Sequence, residues 1–490
     1  MEYNECLDLV HQVQRHVWFQ NLSTLCENGK LSDWVSKFHP DQVRCQIDAT
    51  TTLINGGYNT GQKFIFEDGS IWFLRLVQKG SVCDELADEK VAMEVEALTL
   101  IKENTDIPVP TIRGWGFAAD NPLTLGPFII LDFIAGVSLE SVLKERPDKR
   151  LMRDDIDDRD VEFIFKQFAR ILLQLFQFNF HHIGSLPTPV TGYQVPIRPL
   201  SWKAHDILQM GGVDTFGDRT QGFVSTTDFF GYIVSQDWEQ LLKQPNSVGG
   251  EFDGKDKMQA FSALRTLLPE FIHKDYDKGP FKLVCEDFGL ANLIVRNHHD
   301  LTIVGVVDLE WSYAGPAQLA ASPWWLLQSR LTLYDLEISE EAKKSATILD
   351  RYLKNLDIFI RVLKQEERGL IASQGTLSPL VEWSRESGAM WLHMLLHTGF
   401  NYVGSIPFVK LREHIGLKKW RRIKDEVMDH ETLGSLVRTK IIHLERYDEI
   451  LEEIKVVHDK FSRGEMDAQG TLEALNSLCE EIEKNENLDP

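Results

Sequence analysis

Asp287, Asn292 and Asp308 are the residues whose types and order most directly suggest chemistry. Asp287 and Asn292 stand five residues apart in Glu286-Asp287-Phe288-Gly289-Leu290-Ala291-Asn292, and Asp308 closes the next apolar run, Val306-Val307-Asp308. Metal-dependent phosphoryl transfer needs one base and two ligands for magnesium, and this triplet supplies those types. Asp287 would accept or orient the proton of an attacking hydroxyl, from a rigid loop that holds the acceptor in line with the γ-phosphate. Asn292 cannot be a base. Its neutral amide oxygen suits magnesium, and Asp308 adds a carboxylate that bridges the ion to phosphates. The plainer alternative is that an Asp and an Asn simply make turns, where both are common.

Residues 293–295 and 301–307 read as two short strands joined by the polar turn Asn297-His298-His299-Asp300. Such a hairpin returns Asp308 beside Asn292. With its order of residues, the segment resembles the catalytic and metal-binding loops of the aminoglycoside phosphotransferase and choline kinase group, which has the protein-kinase-like fold. In that group a His usually stands two residues before the Asp; here the place is held by Cys285, and Glu286 beside the Asp is also unusual.

The resemblance implies three further parts upstream: a phosphate-covering loop, a cation for the phosphates and a helix carboxylate behind that cation. Asn55, Gly56, Gly57, Tyr58 and Asn59 stand where the loop is expected, and the glycines would let backbone N–H groups approach phosphate oxygens. A glycine pair of this kind equally makes an ordinary hairpin turn. Arg75, inside an apolar strand after the Asp68-Gly69 turn, takes the place of the cation; the group commonly has Lys, and Arg offers a forked contact. A helical pattern from about Asp84 to Asn104 carries Glu94, the implied partner of Arg75, with Glu89 and Glu96 as other choices. The turn Thr105 to Pro110 is family-like, and Phe133 and Ile134 fall at the hinge whose backbone would hold the adenine. After Asp308, Glu310 stands in a run like the family's "D-x-E … G-P", where it could touch metal or substrate or cap a turn.

The implied fold class is therefore α+β: a two-lobed protein-kinase-like fold with a small β-rich N-lobe, a large mainly helical C-lobe and helical additions. The expected division is a helical extension over 1–50, the nucleotide-binding N-lobe over 51–135 and the C-lobe over 136–490, with acceptor-site insertions between Pro187 and Lys282. ATP and Mg2+ are the expected cofactors. Two alternatives stay open: a pseudokinase-like nucleotide-binding or regulatory protein without phosphotransfer, and nucleotidyl transfer on the same fold.

Composition agrees. A chain of 490 residues with 43% hydrophobic content in scattered runs can bury a large core. The formal charge of −22 argues against a nucleic-acid partner and would suit a cationic small-molecule acceptor. No run is long and apolar enough to span a bilayer, and the first residues lack a signal-peptide pattern. The six cysteines form no C-x-x-C pair, which fits a reducing cytoplasm. His181 and His182 are adjacent and without a third ligand nearby, so a structural or solvent-facing role is expected for them. Helices are expected from Pro323, Trp324 and Trp325 onward, with amphipathic ones near the end. Oligomeric state is not legible.

Overall fold

The computed structural model of the chain describes residues 3–144, 152–153, 155–322, 326, 342–369, 376–399 and 402–486. Helix α1 (Glu5–Glu27) is started by Asn4, whose side-chain oxygen accepts from the Cys6 and Leu7 amides. After α2 (Lys30–Ser36) come β1 (Cys45–Ile47), β2 (Ile54–Asn55), β3 (Asn59–Phe66) and β4 (Ile71–Val77), then α3 (Asp84–Asn104), β5 (Ile112–Gly116) and β6 (Phe128–Asp132). The strands form one antiparallel sheet in the order β1-β3-β4-β6-β5, with β2 also on β3.

Strand period decides which face each residue serves. Trp72, Leu74 and Leu76 of β4 join Phe64, Phe66 and Ile130 in a core closed by Trp18, Leu22 and Trp34 of α1 and α2. The alternate residues Phe73 and Arg75 face the opposite side, where the cleft lies. The β3–β4 turn follows its sequence: Gly69 takes φ of +87°, and the Asp68 side chain accepts from the Ser70 amide at 2.9 Å.

Gly136 marks the passage into the second lobe. Its φ is +157°, and a Cβ there would lie 2.4 Å from the Val295 carbonyl oxygen, so only glycine allows this close crossing. The chain continues through β7 (Val137–Ser138), α4 (Leu139–Leu143), α5 (Asp158–Leu175), α6 (Trp202–Gly211), α7 (Thr226–Lys243) and α8 (Glu251–Leu267). Next come β8 (Lys282–Cys285), β9 (Leu293–Asn297), β10 (Asp300–Val306), β11 (Ser312–Gly315) and α9 (Ala317–Ala320). The hairpin expected after Asn292 is β9–β10, which pairs on to β7, while β11 pairs with β8.

The expected helical opening at Pro323, Trp324 and Trp325 lies outside the described residues. Beyond it are α10 (Ala342–Gly369), α11 (Leu377–Glu386), α12 (Ala389–Thr398), α13 (Ile406–Ile415), α14 (Leu417–Glu426), α15 (His430–Ser462) and α16 (Ala468–Glu486). Trp391, Leu392, Leu395 and Leu396 of α12 are buried in the large core. Helix α1 does more than extend the first lobe. Its C-terminal half covers the sheet, with Trp18 Nε1 donating to the Leu125 carbonyl at 3.2 Å, but Val10 and Val13 pack with Tyr447, Leu451 and Ile454 of α15 and Leu475 and Ile482 of α16. No helix among the described residues is long and apolar enough to cross a membrane.

Two imidazoles, His393 buried and His11 half-buried, tie stability to pH. Burial lowers His393, which meets Gln318, Ser322 and Ser384, to about 3, and burial with the nearby Arg15 lowers His11 to about 4. In the unfolded chain both take up a proton near pH ~6.5. Their contribution is therefore complete above that pH and is lost as pH falls toward the folded values. Urea midpoints should fall between pH 7 and pH 4, and His393→Gln should show a shallower fall; equal slopes would remove His393 from the explanation.

Candidate active site

The catalytic-type loop is shaped by alternation. Glu286, Phe288 and Leu290 turn inward and are buried, which leaves Asp287 exposed between them. Phe288 stacks on Phe168 of α5 at 5.0 Å between ring centroids. Asn292 Nδ2 closes the loop by donating to the Asp287 carbonyl at 2.8 Å and lies 3.4 Å from Asp287 Oδ2. With the amide nitrogen so engaged, Oδ1 is the atom that Asn292 can offer to a cation.

The β9–β10 hairpin then brings Asp308 back. The Val307 amide donates to the Asn292 carbonyl at 3.0 Å, so the two loops adjoin through main chain. Asp308 itself sits at φ of +60°, a left-handed conformation that Asp tolerates better than most residues. Arg75 reaches it from β4: Nη2 is 2.5 Å from Asp308 Oδ1 and 2.7 Å from Glu310 Oε2, while Nη1 pairs with Glu94 of α3.

Lys90, one helical turn before Glu94, was not anticipated from sequence. It is 1% exposed, pairs with Glu310 and donates to Asn59 Oδ1 at 3.0 Å. Asn59 Nδ2 in turn donates to Glu310 Oε2 at 2.7 Å. The Glu310 carboxylate is thus the anchor for two cations and an amide, while it also lines the cleft. The available signal was the i, i+4 spacing of Lys90 and Glu94, which puts both on one helix face.

Electrostatics follow from this crowding. Burial raises Glu310, but Lys90 and then Arg75 outweigh it and hold the carboxyl down at about 2. Glu94 is pushed up to about 7, by burial first and by Asp308 and Glu310, against the pull of Arg75. Asp308 is also raised, by burial and then by Glu310, with Arg75 opposing. Glu94, Asp308 and Glu310 have carboxylate oxygens that all lie within 4.8 Å of one another. Counting Asp287 as well, four carboxylates face two cations. Carboxyl groups outnumber cations here, with burial pushing Glu94 and Asp308 toward their neutral forms, and the donors are hard oxygens of the kind a divalent cation takes.

Above this floor lies a cleft of about 550 Å³ between the lobes. Gly56, Gly57, Tyr58, Asn59, Arg75, Phe133, Ile134, Asp287, Asn292, Asp308 and Glu310 all line it. Gly56 and Gly57 form the exposed β2–β3 turn, closed by the Gly56 amide on the Asn59 carbonyl at 2.8 Å, so the hairpin-turn reading and a place on the cleft hold together. Asn55 is exposed at the hairpin's edge and accepts from Thr60 Oγ1 at 3.0 Å. Glu94 stands behind the cleft wall. Lys63 Nζ lies 4.6 Å over the Phe133 ring, fixing the segment between the lobes.

The remaining sequence candidates go elsewhere. Glu89 pairs with Arg219, at 2.5 Å and 2.9 Å, and Glu96 accepts from the Val190 and Thr191 amides at 3.1 Å and 2.7 Å. Both bind α3 to the 187–226 segment. His181 and His182 are exposed. Cys285 is a neutral thiol, pushed up to about 11 by burial.

No family model and no curated protein match the sequence. Among solved structures, the chain is similar to macrolide 2′-phosphotransferase type I, at 11% identity and TM-score 0.40, over 82% of this chain and 97% of that one. It is also similar to a macrolide 2′-phosphotransferase from Brachybacterium faecium, at 13% identity and TM-score 0.35, over 77% and 98%. A third is the microcompartment-associated aminopropanol kinase, at 14% identity and TM-score 0.35, over 80% and 94%. A small antiparallel sheet carrying α3, the crossing at Gly136 and a mainly helical second part give the chain an α+β architecture of two lobes with the cleft between them.

Proposed function

We propose that this protein is an ATP- and magnesium-dependent kinase that transfers the γ-phosphate to a hydroxyl of a small molecule. One observation carries the reading: a single cleft of about 550 Å³ is lined at once by a glycine turn, Arg75, Asp287, Asn292 and Asp308. In this reading Asp287 takes or orients the acceptor's proton, and Asn292 Oδ1 and Asp308 hold the metal. Arg75 grips phosphates with Glu94 behind it, while the turn at Gly56 and Gly57 covers them and Phe133 and Ile134 border the base. Magnesium supplies charge neutralisation for the phosphates. The excess of carboxyl groups over cations on the cleft floor supports that role, and the charge of −22 suits a cationic acceptor.

Mg-ATP at a hundred times its Kd should stabilise the protein by about 2.7 kcal/mol. The rise in Tm should vanish with EDTA, and an unmoved Tm at millimolar Mg-ATP would end the proposal. Incubation with a metabolite extract and ATP should then yield ADP and a product heavier by one phosphate. Pyrophosphate in place of ADP would mark nucleotidyl transfer.

A second reading, nucleotide binding without transfer, is favoured by the 2.5 Å contact between Arg75 Nη2 and Asp308 Oδ1, because the guanidinium holds the carboxylate that a metal would need. It predicts a Tm rise with ATP that persists in EDTA and no ADP with any extract.

A further inference from the structure

Helix α6 belongs to the second lobe by its anchor but touches the first lobe along most of its length. Its anchor is Lys203, which is 2% exposed, pairs with Asp237 of α7 and lies 3.3 Å from the Leu396 carbonyl. Flanking residues of the same helix reach the other way. Tyr58, in the glycine turn, donates its hydroxyl to Asp206 Oδ1 and Oδ2 at 2.8 Å and 2.7 Å, and Trp202 Nε1 donates to the Tyr58 oxygen. Residues 202 and 206 are one turn apart, so both meet Tyr58 from one face.

The neighbouring contacts are consistent with one another. His205 Nδ1 is 3.0 Å from Asp206 Oδ1, which places the proton on Nδ1 and leaves Nε2 to accept from the Cys83 amide at 3.2 Å, just ahead of α3. Gln209 Nε2 donates to the Gly80 carbonyl at 3.2 Å. Tyr58 and His205 both pack on Trp311, with ring centroids 5.3 Å and 4.8 Å away.

The N-terminal end of α6 rests on the residue next to Asp287. Glu286 is 5% exposed; its Oε2 accepts from the Trp202 amide at 2.6 Å and its Oε1 from the Tyr313 hydroxyl at 3.0 Å. A carboxylate at a helix N-terminus is favoured by the helix dipole as well as by the hydrogen bond. The unusual acid beside Asp287 is therefore accounted for, because it fastens a helix that the glycine turn also grips.

We propose that α6 is a strut with Glu286 and Tyr58 as positioning residues, which fixes the separation between the Asp287 loop and the glycine turn across the cleft. Neither residue needs to touch a reacting atom. Under the kinase reading, on which the consequence for catalysis rests, the strut keeps the acceptor side and the phosphate side in register before ligands arrive.

The experiment is hydrogen exchange on the full chain, with Tyr58→Phe, Glu286→Ala and Glu286→Gln. Tyr58→Phe removes only the hydroxyl that Asp206 and Trp202 hold, so amides of residues 56–61 should exchange about tenfold faster. Residues 286–292, in the other lobe, should loosen with them, while β3–β4 pairing beyond residue 62 stays protected. Glu286→Ala should loosen the glycine turn too, whereas Glu286→Gln, which keeps an oxygen for the Trp202 amide, should stay near wild type. If Glu286→Ala does not fold, the effect of Tyr58→Phe at residues 286–292 carries the test. Loosening confined to the mutated end, or none at all, overturns the strut. Binding of a non-hydrolysable ATP analogue with magnesium is the second readout, and Tyr58→Phe should weaken it at least about threefold. A wild-type protein that binds no Mg-ATP would overturn the kinase reading, and the exchange data would still decide the strut.

Discussion

Asp287→Asn is expected to lower phosphoryl transfer by about 10² to 10⁴-fold while Mg-ATP binding stays within a small factor of wild type. The reason lies in where Asp287 stands. Its flanking residues anchor the loop, and its own side chain is exposed on the cleft. Asn keeps the shape and can still donate or accept a hydrogen bond, but it cannot take the acceptor's proton. The measurement is steady-state ADP release with an acceptor found in the extract screen, beside a thermal-shift titration of the same variant. Wild-type turnover in Asp287→Asn would remove the assigned base.

Glu310→Ala is expected to cost about 3–5 kcal/mol of stability, because it leaves Lys90 buried without its counter-charge and strips Arg75 of one of three. Lys90 is 1% exposed, so water cannot compensate. The double variant Lys90→Met with Glu310→Ala should recover part of that loss, since removing both members of a buried pair costs less than orphaning one. Urea denaturation of wild type, both single variants and the double variant gives the coupling directly. The sign of its pH dependence is fixed as well. Glu310 has a folded pKa of about 2, below the ordinary carboxylate value of ~4.3, so its contribution is complete above that value and fades only as pH falls toward 2. A loss under about 1 kcal/mol at neutral pH would show that the cluster is not held by Glu310.

Some of this architecture was legible because short-range chemistry dictates it. The Asp68-Gly69 turn needed a residue tolerant of positive φ, and Gly69 supplies it at +87°. The place of Arg75 inside a β-rich run was legible too, while the structure shows Trp72, Leu74 and Leu76 on the core side of β4 and Phe73 and Arg75 on the cleft side. The hairpin from Leu293 to Val306 followed from two β-rich runs around a polar turn, and it is why Asp308 returns beside Asn292. Other features involve partners far apart in the chain. Val10 of α1 meets Tyr447 of α15, and no local pattern on a helix says which other helix will cover it.

What the amino-acid order determined by itself is the set of groups able to do chemistry and the local elements that carry them, because turn type, strand period and helix face depend on neighbours within a few residues. Tertiary structure decided how those groups pair. Glu94 rather than Glu89 or Glu96 meets Arg75, Lys90 joins the cluster through Glu310, and Glu286 accepts from the first amide of α6. Glu89, Glu94 and Glu96 all sit buried on α3, where sequence spacing gives each a similar claim, and only the desolvated geometry at the bottom of the cleft separates them. A buried charge must find its opposite within a few ångströms, and which one lies in reach is settled only when the two lobes close on each other.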